Sequence, residues 1–89
     1  MKLHIHVAGV DETVEVRDAD EALKRTREEA ARRAPFLARP IIKAMNDQTF
    51  AAEAVKRHNA EKGLSDPIPS TAQQFLDWAI QRGYVSVVE

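Results

Sequence analysis

Apolar and polar residues alternate twice within the first seventeen positions. Leu3, Ile5 and Val7 are interleaved with Lys2, His4 and His6, and Val14 and Val16 with Thr13, Glu15 and Arg17. A period of two predicts two strands, each with one buried and one wet face. Gly9 and Asp11 mark the turn between them. A four-residue loop from Gly9 to Glu12 sets Val7 opposite Val14 and Ile5 opposite Val16, with all five apolar side chains on one side. The other side then places His6 across from Glu15 and His4 across from Arg17.

From Asp18 the period lengthens. Asp18 and Glu21 have N-cap and N3 character, and Ala19, Ala22, Leu23, Thr26, Ala30 and Ala34 share one stripe of a helix that stops before Pro35. An alanine-rich stripe offers little apolar area, which leaves Leu23, Phe36 and Leu37 to anchor it. Pro40 suits the first turn of a short second helix carrying Ile41, Ile42 and Met45, and Asn46-Asp47 ends it and opens the next. A third helix over 48–62 has Phe50, Ala51, Ala54 and Val55 on its apolar arc, with His58 inside that arc. Gly63 stops it, and Leu64 stands ready for the hydrophobic contact of a Schellman cap. Ser65-Asp66-Pro67-Ile68-Pro69 is a stiff connector, since each proline restricts itself and its predecessor.

The last twenty residues close the fold. Ser70 and Gln73 have the spacing of a capping box, Ala72, Phe75, Leu76, Ala79 and Ile80 form an apolar stripe, and Gly83 supplies the stop. Tyr84-Val85-Ser86-Val87-Val88 then turns to β-favouring residues. A strand at that point needs earlier strands to pair with, and the N-terminal hairpin supplies them. The expected fold is a single α+β domain over 1–89, a three-stranded sheet of the hairpin and the C-terminal strand packed with three to four helices.

Composition narrows the function classes. The chain has 89 residues, 44% hydrophobic and 30% charged, which suits one globular core burying about 60 to 65% of the unfolded surface. No apolar run is long enough to cross a bilayer, and the first six residues alternate instead of forming a signal-peptide core, so a cytoplasmic protein is expected. Having no cysteine, the chain has no disulfide, thiolate nucleophile or cysteine zinc site. The net charge of −1 hides a split, because residues 24–43 carry seven cations and two anions while the first 23 carry two and six. Asp20/Lys24, Glu21/Arg25, Glu28/Arg32 and Glu29/Arg33 are acid-before-base pairs at i, i+4, so the basic block reads first as a self-paired helix face.

Few residues suggest chemistry. Ser65, Ser70 and Ser86 have no histidine near them in sequence, and Gly9, Gly63 and Gly83 each have a turn or helix-end role, so neither a nucleophile nor a phosphate loop is indicated. His4, His6 and Glu15 form a partial donor set for a transition metal, too incomplete to predict a metal or any cofactor. Trp78 points more than about 100° away from the apolar stripe of the last helix, among Gln74, Gln81 and Arg82. Either a second layer covers it or it anchors a surface, as tryptophan and arginine do at interfaces. The leading expectation is a small non-enzymatic protein-interaction module, with Gln74, Trp78 and Arg82 as the partner-binding residues or a strand edge as the docking place. An unpaired edge also allows a homodimer.

Two resemblances add expectations. The order of Ser70, Thr71, Leu76, Ala79, Gly83, Tyr84 and Val85 in a helix, glycine and aromatic strand resembles the recognition helix and wing of winged-helix DNA-binding proteins. It implies an alternative function in which Ser70, Thr71, Gln73 and Gln74 approach the major groove and Arg82 a phosphate, with the basic block on the backbone. The hairpin running from Lys2 straight into a helix is similar in layout to ubiquitin-like β-grasp domains, with the strand from Tyr84 beside the first.

Overall fold

The computed structural model describes residues 1–7, 10–33 and 39–88. Its elements follow the predicted order: β1 (Lys2–Val7), β2 (Val10–Glu15), α1 (Ala19–Arg33), α2 (Arg39–Ala44), α3 (Asp47–Lys62), α4 (Ala72–Gln81) and β3 (Val85–Val87). The three strands form one antiparallel sheet in the order β2-β1-β3, and the fold is α+β. Thus β3 lies beside β1, as the hairpin-helix-strand layout implied, and runs antiparallel to it.

The hairpin register differs from the one expected from a four-residue loop. Val7 pairs with Val10, Ile5 with Glu12, Leu3 with Val14 and Lys2 with Glu15. Beyond the strands Met1 and Val16 exchange bonds, N–H of Val16 to O of Met1 and the N-terminal ammonium to O of Val16, both at 2.9 Å. The slip is an even number of residues, so Leu3, Ile5, Val14 and Val16 keep their shared face. It changes neighbours instead: His6 faces Asp11 and His4 faces Thr13. Its physical cause is at the open end of the hairpin, where Leu3 and Val16 are both 2% exposed beneath the helices. Ile5, paired with an exposed glutamate, is only half-buried.

The helix ends show how local chemistry shapes this chain. Asp18 Oδ1 accepts from the N–H of Glu21 at 2.9 Å, and Asn46 Oδ1 caps α3 by accepting from the N–H of Thr49 at 2.7 Å. The cap of α4 is Thr71, one residue later than expected, and its hydroxyl accepts from the N–H of Gln74 at 3.1 Å. Gln74 in turn accepts from the N–H of Ser70 at 2.6 Å. Both readings of Ser70-Thr71-Ala72-Gln73-Gln74 fit the capping-box spacing, and the structure takes the second. Gly63 and Gly83, at φ of 67° and 80°, end α3 and α4 in the left-handed region that a side chain disfavours. After α4 the N–H groups of Gly83 and Tyr84 reach back to the carbonyls of Ile80 and Ala79, a Schellman closure that turns the chain into β3.

Two apolar clusters fill the interior. Leu23, Phe50, Ala51, Val55, Ala72 and Phe75 join α1, α3 and α4, while Leu3, Val16, Ala22 and Leu76 join the sheet to α1 and α4. Adjacent Ala22 and Leu23 on α1 therefore serve different clusters. The buried face of α1 is shifted by one residue toward its far end, where Ala31 is buried and the expected Ala30 only half-buried. The expected anchors Phe36 and Leu37, with Ala34, lie outside the described residues. Ile80, placed on the stripe of α4, falls at its margin and is 38% exposed.

Candidate interaction surfaces

Gln74, Trp78 and Arg82 recur every fourth residue and so share one face of α4. The structure gives each of them a partner within the chain. Trp78 is half-buried, stacked on Phe75 with ring centres 5.8 Å apart and edge-on to His58 and Tyr84 at 5.0 and 5.9 Å. Its indole N–H donates to Asp66 Oδ2 at 2.9 Å. Arg82 donates from Nε to the same oxygen at 2.8 Å and from Nη2 to Oδ1. The second layer over Trp78 thus includes α3 and the proline connector, and Arg82 forks onto a carboxylate.

Asp66 is the residue that organises this patch, and the sequence pattern does not single it out. Its backbone is held by the Asn59 side chain, which donates to the Asp66 carbonyl at 3.0 Å and accepts from its N–H at 3.1 Å. The Arg82 guanidinium first, and the indole N–H second, hold the Asp66 carboxyl below the usual carboxylate range, and Asp66 pushes Arg82 up in return. Nothing local marks Asp66, since its partners are twelve and sixteen positions away. His58 lies beside the same cluster, its Nε2 at 2.5 Å from the Tyr84 hydroxyl and its Nδ1 buried without a hydrogen-bond partner among the described residues. The arrangement fastens α3, α4 and the start of β3 together.

The residues of the winged-helix resemblance are likewise engaged locally. Thr71 and Gln74 make the helix cap with Ser70, Gln73 donates to Asp77 at 2.9 Å, and Arg82 is held by Asp66. In the basic block Arg33 and Arg32 both bond Glu29, and Arg27 bonds Asp47 of α3 at 2.5 Å. Of the four expected i, i+4 pairs, Glu29/Arg33 forms; Glu21 turns back to Arg17 instead, at 3.1 Å. Of the metal candidates, His4 and His6 stay side by side, edge-on with ring centres 5.1 Å apart, but each is engaged elsewhere, His4 with Asp11 at 2.5 Å and His6 with the Gly83 carbonyl, while Glu15 sits opposite Lys2 and 3.7 Å from the N-terminal ammonium. Among the described residues no three such side chains gather as a metal site, and no helix is long and apolar enough to cross a membrane.

A groove of about 570 Å³ opens between α1, α4 and the sheet, floored by Leu3, Val14, Leu76 and Ala79 and bordered by charged residues of α1. Thr26 lines it, but its hydroxyl already donates to the Ala22 carbonyl at 2.8 Å. Its lining is suited to apolar contact and offers no nucleophile paired with a base.

With β1 in the middle, β2 and β3 are the sheet's two edges. They differ sharply in character. Along β2, Asp11, Glu12 and Glu15 are three acids in six residues, a charged edge that discourages pairing. Along β3, Val85-Ser86-Val87 carries no charge, and Val87 and Val88 are 48% and 49% exposed. The bonds His6 N–H to Tyr84 O and Val88 N–H to Lys2 O, both 3.0 Å, fix which backbone groups face β1. Those of Tyr84, Ser86 and Val88 do, so the N–H and C=O of Val85 and Val87 point outward. No family model, curated protein or solved structure matches the chain, and its functional reading rests on this geometry.

Proposed function

We propose that the chain is a small non-enzymatic protein-interaction module that docks an extended segment along the outer edge of β3. The observation that carries the reading is the contrast between the two sheet edges, one charged and one bare. An incoming strand gains main-chain hydrogen bonds from Val85 and Val87 and covers the half-exposed valines beside them. The surface around Trp78 supports this role indirectly, because the Asp66 fastening holds α4 and the start of β3 in place. The nucleic-acid alternative draws no comparable support. DNA affinity comes mostly from cations that neutralise phosphates, and four of the candidates, Arg27, Arg32, Arg33 and Arg82, are engaged with carboxylates of the chain.

Selection of displayed random peptides against the wild type and the Val87→Pro variant tests the proposal. Proline at 87 removes an outward N–H while leaving the β1 pairing intact, a substitution edge strands tolerate. The expected result is enrichment of β-favouring peptides that bind the wild type and not the variant. Equal capture by both, or retention of random double-stranded DNA at low salt with no peptide enriched, overturns it.

A further inference from the structure

We infer that the segment docked at β3 is the β3 strand of a second copy of this chain, antiparallel, with Ser86 on the two-fold axis. The inference rests on the edge-docking reading and names its occupant. Since Val85 and Val87 carry the outward backbone groups of β3, these are the residues of that strand that can form hydrogen-bonded pairs across the edge. Pairing Val85 of each copy with Val87 of the other satisfies all four N–H and C=O pairs at once. Ser86 then faces its own equivalent. The contact is self-complementary, as an isologous interface must be.

The same operation at the other edge fails on charge. Along β2 the outward groups belong to Asp11, Thr13 and Glu15, as the Met1–Val16 bonds and the register require. A two-fold axis at Thr13 sets Asp11 against Glu15 of the other copy, twice, and like charges directly opposite destabilise strand pairs. At β3 there is no charge from Val85 to Val88, and Val87, 48% exposed in one chain, gains a valine neighbour. The result is a six-stranded sheet whose charged β2 edges lie at its two ends. A three-residue strand buries less than the roughly 1,000 Å² of a stable complex, so one-chain and two-chain forms exchange with concentration.

A cysteine-free chain makes the test direct. Ser86→Cys introduces one thiol at the proposed axis, in a non-hydrogen-bonded position where Cα atoms lie about 4.5 Å apart, within disulfide range. Thr13→Cys introduces one thiol on the outward row of β2. Under mild oxidation Ser86→Cys is expected to form a covalent dimer at least about tenfold faster than Thr13→Cys, because pairing raises the effective thiol concentration. Adding Val87→Pro to Ser86→Cys should remove that advantage, with circular dichroism and thermal melting confirming that each variant is folded. Equal slow rates for the two thiols, with the wild type sedimenting as one chain at all concentrations, overturn the second copy as occupant. Peptide capture by the wild type separates the two claims in that case. If peptides sensitive to Val87→Pro are still captured, edge docking stands with another partner; if none is, both fall.

Discussion

Asp66 shows how much of a small protein can hang on one carboxylate. It accepts the indole N–H of Trp78 and both donors of Arg82, and its side chain is 17% exposed. Its folded pKa is lowered below the ordinary value, first by the Arg82 hydrogen bonds and then by Trp78. A lowered folded pKa means that its stabilising contribution is complete above the unfolded pKa, near 3.8, and is lost as pH falls through the lower folded value. Glu29 shifts in the same direction through Arg32 and Arg33, on the exposed side of α1. Melting the wild type and Asp66→Asn from neutral pH downward should therefore give a lower melting temperature for the variant at neutral pH. The gap should close in acid, once Asp66 is protonated. A gap that stays constant with pH would show that the carboxylate's charge does not hold the cluster.

At the scale of elements, the helices and their ends were largely legible and the registers were not. Capping residues act within four positions, so Asp18, Asn46 and Gly63 announce their helices in sequence. Ser70 and Thr71 both satisfy the same spacing rule, and only the structure shows that Thr71 is the cap. Replacing Thr71 by alanine should cost about 1 kcal/mol, and Ser70→Ala only a few tenths, in denaturant titrations. The reverse ranking would restore Ser70 as the cap. Gly83→Ala should cost about 1 to 2 kcal/mol from its positive φ alone, since an added Cβ meets nothing within 4 Å. Alternation fixes which face a residue occupies but not how far the strand slides. Slides of two residues preserve the pattern, and Val16 is covered both by α1, which follows it directly, and by Leu76 of α4, sixty positions away, a contact that no local rule announces. The Asp66 cluster escaped for a related reason: its members come from α3, the connector, α4 and the turn after it, and no spacing rule joins them.

At the scale of the molecule, part of the chain's uneven charge is paired off. Arg32 and Arg33 of the basic block bond Glu29 and Arg27 bonds Asp47 of α3, while the acids of β2 lie at a sheet edge. That leaves β3 as the uncharged boundary of the sheet, and association there is the molecular property on which the proposed function rests. The most direct measurement is residue-resolved amide hydrogen exchange of Val85, Ser86 and Val87 from dilute to concentrated protein. Ser86, whose backbone faces His4 of β1, should be protected throughout. Val85 and Val87 should exchange rapidly in dilute solution and become protected together as concentration rises, because only docking covers their N–H groups. Protection of Val85 and Val87 equal to that of Ser86 in dilute solution, or rapid exchange at every concentration and with every selected peptide, would contradict the account.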